Sequence, residues 1–299
     1  MIILEKEIYQ VDAFTDIPFG GNPAGVMPNA QGLNENDMQK IASEMNLSET
    51  AFIKKIGKNV YDVRFFTPSC EVDLCGHATI ASFYTLAYKQ YIESENDIMK
   101  VYQNTKAGRL GVEIQYKDGK VEKVMMEQGE PRSKGKIVQD IEKLCNYLNI
   151  DTEEIGIEEM KAYPEIISTG LPDIILPVKN KDILDKIVVD MDGIANFSNE
   201  LGVTGVHAFT LYDSDKIYCR NFAPAVGIDE EAATGTANGA TLYYLKKNNF
   251  IGGNKIVSIQ GYNMGRPSKI NCEITQEKQR YTVKVGGRAN IVIEGTIKL

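Results

Sequence analysis

Two short patterns each occur twice in the sequence, in the same order, and they constrain the fold more than any other feature. Gly21-Asn22-Pro23-Ala24-Gly25-Val26-Met27-Pro28 has the form Gly-x-Pro-x4-Pro, and Gly170-Leu171-Pro172-Asp173-Ile174-Ile175-Leu176-Pro177 repeats it at the same spacing. Further on, Arg64-Phe65-Phe66-Thr67-Pro68 and Arg220-Asn221-Phe222-Ala223-Pro224 share an Arg, a Phe two residues later and a Pro two residues after that. Each leads through a loop into a glycine-led run that is apolar or small nearly all round, one starting near Gly76 and one near Gly235. A helix without a polar face belongs inside something. Three landmarks in the same order point to a duplicated unit of about 150 residues. The expected architecture is therefore two similar domains, each a sheet wrapped on a central helix. A length of 299 residues suits about two domains.

Charge and composition narrow the function classes. The chain carries 33 Lys and Arg against 41 Asp and Glu, a net charge of −8. That argues against a nucleic-acid partner, which needs clustered positive charge to displace phosphate counterions. The amino terminus turns charged after four residues and lacks the basic start and apolar core of a secretory leader. Uncharged stretches such as 78–88 and 232–245 are too short to span a bilayer, so no membrane partner is expected. Five scattered cysteines, Cys70, Cys75, Cys145, Cys219 and Cys272, fit reduced thiols and a cytoplasmic location.

Alternating polarity with β-branched and aromatic residues predicts strands over 7–14, 51–56, 60–66, 111–116, 122–127, 217–222, 256–260 and 282–285. Met38, Ile41, Ala42 and Met45 share one helical face, with Asn34 as the cap. Val138, Ile141, Leu144, Cys145 and Leu148 predict a second amphipathic helix.

Several chemistries have no sequence support. Only two histidines occur, His77 and His207, and without a Cys-x-x-Cys pair no common zinc set can be assembled from spacing. Gly-x-Gly-x-x-Gly and Gly-x-Ser-x-Gly are both missing. The closest approach to a phosphate loop, Gly129 to Lys136, has the wrong spacing and no Ser or Thr for magnesium. The expectation is chemistry without metal or cofactor, run by acids, bases and backbone dipoles. The two glycine-led helix starts would face each other across a domain cleft and cradle an anion, since such starts present unpaired N–H groups.

Three segments carry candidate side chains. In 67–79, Cys75, Gly76 and His77 stand where a loop meets a helix start; His77 either handles a proton or caps its own helix. In 229–237, acidic residues precede a helix start, as catalytic groups or as ordinary dipole partners; Thr236 offers a hydroxyl and a backbone N–H. In 46–52, Glu49 ends a polar connection and enters an apolar strand. Carboxyl groups in apolar surroundings shift toward neutral pKa values, which suits general acid–base work; an exposed Glu at a strand start is the plainer alternative.

Asn46-Leu47-Ser48-Glu49-Thr50-Ala51-Phe52, Phe66-Thr67-Pro68, Glu71-Val72-Asp73-Leu74-Cys75-Gly76-His77-Ala78-Thr79, Ser168-Thr169-Gly170-Leu171-Pro172 and Ala233-Thr234-Gly235-Thr236-Ala237 together resemble the phenazine-biosynthesis PhzF-like isomerase family. Val11 to Asp16 and Gly21 to Gly25 fit it as well, and the matches run on to Gly287-Arg288. The resemblance implies a diaminopimelate-epimerase-like α+β fold with two pseudo-symmetric domains, expected at 1–118 plus 287–299 and at 119–286. It implies a cofactor-independent isomerase, often a homodimer, acting on a small carboxylate-bearing substrate in the cleft. In the characterised branch a glutamate moves a proton within trans-2,3-dihydro-3-hydroxyanthranilate. By motif match that glutamate is Glu49, His77 matches the active-site histidine, and Gly76 and Gly235 match the glycines whose amides hold the carboxylate. Asn22 lies in the matching Gly-Asn-Pro segment.

Two departures bear on the substrate. The family pattern Glu-Asp-Pro-Ala-Thr-Gly-Ser reads Glu230-Glu231-Ala232-Ala233-Thr234-Gly235-Thr236 here. Glu231 therefore replaces the usual aspartate as the acid and Thr236 the usual serine. Two-cysteine racemases of the same fold place a cysteine before each helix-start glycine; here Cys75 holds the first place and Thr234 the second. A racemase using Cys75 with Glu49 is the rival enzyme, although inert packing is the expected role of Cys75. A non-catalytic carboxylate-binding protein is the rival of another class.

Overall fold

The computed structural model describes residues 5–158, 160–278 and 280–299; the first four residues of the segment weighed as a leader lie outside them. The chain divides into two compact units, Met1–Glu127 with Gly286–Leu299, and Gln128–Val285.

The first unit runs β1 (Glu5–Ala13), β2 (Asn22–Met27), α1 (Glu35–Met45), β3 (Thr50–Gly57), β4 (Val60–Phe66), β5 (Glu71–Val72), α2 (Gly76–Tyr88), β6 (Ile98–Thr105), β7 (Gly108–Lys117) and β8 (Lys120–Glu127). β1 pairs antiparallel with β2, β2 parallel with β3, and β3 antiparallel with β4. β4 is antiparallel to β5 and parallel to β6. The second unit runs β9 (Arg132–Lys136), α3 (Ile141–Leu148), β10 (Glu165–Ser168), β11 (Pro172–Pro177), α4 (Lys181–Lys186), α5 (Met191–Leu201), β12 (Val206–Leu211), β13 (Lys216–Ala223), β14 (Ile228–Glu231), α6 (Gly235–Lys247), β15 (Lys255–Gln260), β16 (Ser268–Glu277) and β17 (Arg280–Gly287). From β10 to β15 it repeats the same series of antiparallel and parallel pairings around a second central helix. The last strand, β18 (Ala289–Lys298), returns to pair with β1. The fold is α+β, and the duplication read from the landmarks is present in the topology.

α2 buries ten of its thirteen residues and α6 eight of thirteen, as their lack of a polar face demands. α2 packs on β1, β2, β3, β7, β8 and β18, and α6 on β10, β11, β12, β15 and β16. The Arg-x-Phe landmark has a physical basis in both units. Arg64 pairs with Glu71 through two 2.7 Å hydrogen bonds, and its guanidinium lies 5.1 Å from the Phe66 ring centre. Arg220 pairs with Glu230 at 3.0 and 2.9 Å and lies 4.8 Å from Phe222. Each arginine thus ties its strand to the short strand that precedes the central helix.

Some expectations need correction. Residues 119–127 and Gly286 belong to the first unit; β8 forms a hairpin with β7 from Lys117↔Lys120 to Val112↔Met126. Val138 is exposed and lies outside α3, which begins at Ile141. Segments 22–27 and 172–177, taken only as landmarks, are strands. α4 and α5, which the periodicity reading passes over, join α3 against a cluster that includes Ile174, Leu176, Val206 and Phe222.

The repeats also show where they diverge. The Gly25 amide donates to the Glu49 carbonyl at 2.9 Å, and the Ile174 amide donates to the Gly205 carbonyl at 2.9 Å. Gly25 and Ile174 hold the same place in the two Gly-x-Pro segments, so Gly205 is the counterpart of Glu49. A Cβ at Gly205 would stand 2.0 Å from the Phe222 carbonyl oxygen, so that position excludes any side chain. Gly205→Ala is expected to cost roughly 1–3 kcal/mol or more through forced backbone movement, whereas Gly295→Ala, with no atom within 4 Å of the added carbon, should leave stability nearly unchanged. Urea unfolding of the two variants checks this.

Candidate active site

Glu49 is placed by the helix and strand on either side of it. α1 starts on a capping box, with the Asn34 side chain accepting from the Asp37 amide at 3.0 Å and Asp37 accepting from the Asn34 amide at 3.3 Å. It ends at Asn46 in the left-handed conformation, φ 50°, which turns the chain back toward β3. There the Gly25 amide holds the Glu49 carbonyl. A Cβ at Gly25 would meet Thr50 Oγ1 at 2.5 Å, so glycine is what lets β3 close up on β2 at this point.

Cys75 and His77 come from the start of α2. Cys75 is its N-cap residue in extended conformation, and no side chain caps the helix. His77 is therefore not the cap. Its Nε2 lies 3.2 Å from Glu49 Oε2, and its Nδ1 lies 3.4 Å from Cys75 Sγ. The histidine is buried, and the Glu49 side chain keeps 19% of its exposure. Glu49 Oε2 is itself buried and accepts no aligned hydrogen bond, a costly state for a carboxylate oxygen unless something else engages it. The Cys75 sulfur lies against the histidine ring. Gly76 opens the helix, and no atom lies within 4 Å of where its Cβ would be. Neither packing nor a positive φ calls for glycine there, and the space over the helix start is open. Asn22 is buried as the first residue of β2, opposite Ala13.

Within the second unit, the candidates gather around the start of α6. Glu231 ends β14, and its Oε2 accepts from Thr234 Oγ1 at 2.5 Å. Gly235 opens α6, and the Thr236 carbonyl accepts from Thr169 Oγ1 at 2.8 Å. Gln260 donates to the Glu231 carbonyl at 2.8 Å and to Thr234 Oγ1 at 3.1 Å. Its Oε1 accepts from Asn238 at 2.8 Å. Asn238 in turn contacts Cys219 Sγ at 3.4 Å, and that sulfur lies 2.9 Å from Ser258 Oγ. His207 bonds Asn221 at 3.0 Å; burial pushes its pKa down to about 4 and that of Cys219 up to about 12. Both are buried inside this unit.

Asp173 was seen in the sequence only as a member of a landmark. It is fully buried, and its pKa is pushed up to about 8, first by loss of solvent and then by the charge of Glu231, against a bond from the Gly205 amide. In the sequence it is a lone acid one residue before the apolar Ile174-Ile175-Leu176 run.

Comparison with known proteins follows this geometry. The family model of the phenazine biosynthesis-like proteins, PhzC-PhzF, matches residues 11–295. An uncharacterized isomerase of Clostridium acetobutylicum is 37% identical over 310 residues, covering 100% of both chains. The crystal structure of a Bacillus anthracis phenazine biosynthesis protein of the PhzF family is 26% identical, with a TM-score of 0.85 over 98% of this chain and 99% of that one. A hydroxyproline epimerase from Agrobacterium vitis shares the fold at a TM-score of 0.64 and 11% identity, over 99% of this chain and 91% of its own. The chain belongs to the phenazine biosynthesis-like protein family. It is an enzyme of the isomerase class. Among the described residues, no helix is long and apolar enough to cross a membrane.

The buried carboxyl of Asp173 gives a pH prediction. Its folded pKa lies above its unfolded one, so between about pH 4 and pH 8 the unfolded chain releases a proton that the folded chain keeps. Stability from this group is lost as pH rises through that window. Asp173→Asn should unfold at a higher urea concentration than the parent at pH 7.5. The gap should narrow by up to about 1.4 kcal/mol per pH unit on acidification and close near pH 4. Urea titrations of both proteins at several pH values read this directly.

Proposed function

We propose that this enzyme moves a proton between two carbon atoms of a small carboxylate-bearing substrate, without a cofactor, and that Glu49 is its general acid and base. The observation that carries the reading is the Glu49 carboxylate held against His77 beside the open start of α2. A helix start offers N–H groups and a positive dipole end to a carboxylate, and the space over Gly76 admits one. With the carboxylate there, Glu49 takes a proton from a neighbouring carbon and returns it elsewhere on the conjugated system. His77 holds the Glu49 carboxylate in place and stabilises charge on it or on a polar substituent. Asn22 is a further substrate contact in this reading. In the second unit, Gly235 and Thr236 at the α6 start and Glu231, held by Thr234, are by motif match the candidates for carboxylate contact and acid chemistry.

The rival two-base racemase needs Cys75 and Glu49 on opposite faces of one carbon. Reacting atoms about 3–3.5 Å from that carbon on each side would stand some 6–7 Å apart. In the structure the ligand atoms of Glu49, Cys75 and His77 all lie within 4.8 Å of one another, which favours the single-carboxylate reading. The native substrate, a dihydro-hydroxyanthranilate-like compound or another small carboxylate, belongs to the same proposal.

The test is solvent exchange in heavy water followed by proton NMR, over dihydro-hydroxyanthranilate, diaminopimelate, proline and other amino and hydroxy acids. One class of substrate should exchange or isomerise, and Glu49→Gln should slow it by about 10²–10⁴-fold. Gly76→Ala should raise KM with little loss of stability, since its methyl group enters the open space. Full activity in Glu49→Gln would overturn the assignment, and tight binding of a carboxylate with no exchange in any compound would favour the binding-protein alternative.

A further inference from the structure

The cluster around His77 has a second chemical property that does not depend on proton transfer. Glu49, Cys75 and His77 each offer one metal-ligating atom, from two elements that are remote in sequence. Four-coordinate zinc binds thiolate sulfur at about 2.3 Å and imidazole nitrogen or carboxylate oxygen at about 2.0–2.2 Å. Tetrahedral angles then place the ligand atoms about 3.3–3.6 Å from one another. Here His77 Nε2 is 3.2 Å from Glu49 Oε2 and 3.9 Å from Cys75 Sγ. The longest separation in the trio is within 4.8 Å; Cys75 Sγ lies nearer Nδ1, at 3.4 Å, so binding through Nε2 requires the cysteine side chain to turn toward that nitrogen. Glu49 Oε2, buried and without an aligned hydrogen bond, has the lone pairs such an ion needs.

We infer that Glu49, Cys75 and His77 form a binding site for a thiophilic divalent cation of the zinc class. The ligand chemistry selects the class. A thiolate and an imidazole favour zinc or cobalt, whereas magnesium and calcium prefer oxygen donors throughout. Three protein ligands leave the fourth position for water or a carboxylate. A cation held there occupies Glu49, so metal and substrate would compete; the binding itself is independent of the reaction proposed above.

Cobalt provides a readout that needs no turnover. The full chain, treated with chelator and reductant, is titrated with Co²⁺ and followed by absorption. The expected result is one equivalent per chain, a thiolate-to-cobalt charge-transfer band in the near ultraviolet and the intense visible bands of four-coordinate cobalt, all bleached by Zn²⁺. Cys75→Ser should abolish the charge-transfer band and weaken binding at least 100-fold. His77→Gln should weaken it by a similar factor, and Cys70→Ser, at an exposed cysteine outside the trio, should change nothing. Circular dichroism confirms that each variant is folded. No charge-transfer band in the parent, its persistence in folded Cys75→Ser, or its loss in Cys70→Ser would each overturn the proposal. Failure of Glu49→Gln to slow exchange would sink the proposed reaction and leave the cobalt result untouched.

Discussion

A helix with no polar face has to be covered on every side, and most of this structure follows from having two of them. α2 and α6 are too apolar for a surface, so in each unit strands must surround the helix and close off its flanks. Closure fixes which residues line the interior. It also brings the loop ahead of each helix into contact with the edges of the surrounding strands. The helix start, with its donors and dipole, is the one end of such a core element that still faces polar partners. In both units the polar side chains gather at that end, with Glu49, Cys75 and His77 in one and Glu231, Thr234 and Gln260 in the other.

The parts of the fold that were legible in the sequence are those set by local periodicity or by repetition. The Asn34 cap, the Met38, Ile41 and Ala42 face of α1 and both central helices could be read because their signals lie within one or two turns. The duplication could be read because each Arg-x-Phe landmark records a real constraint, an arginine tied to a glutamate on the next strand. Two of the strands passed over lack alternation, whereas β6 and β16 alternate in burial and were passed over as well. β9 is exposed along its whole length, and β18 is largely exposed beyond its first residues. β2 and β11 carry prolines that look like turn signals. Val138 continued an apolar spacing into a segment where nothing covers it.

The site was legible residue by residue but not as a cluster. Family motifs named Glu49 and His77, yet nothing in their spacing says that a strand start and a helix start 28 positions apart bring a carboxylate to an imidazole. The same limit hid the grouping of Glu49, Cys75 and His77, which has no sequence spacing to recognise. Asp173 was harder still, because a lone acidic residue in an apolar strand reads as an outward position. Only the pairing of β11 with β12 turns it inward against the Gly205 amide.

The inequality of the two repeats has a consequence for the fate of an individual hydrogen atom. The first unit carries a carboxylate at Glu49, while its counterpart Gly205 is sterically barred from carrying any side chain. The Glu49 carboxylate was thus not duplicated along with the fold. In the proposed reaction, one carboxylate must both accept the hydrogen and deliver it, from a buried place with restricted access to water. A deuterium placed on the donor carbon would then travel with the catalyst and reappear, in part, at the new carbon of the same molecule. The isotope would record an internal transfer that a symmetric pair of bases would erase.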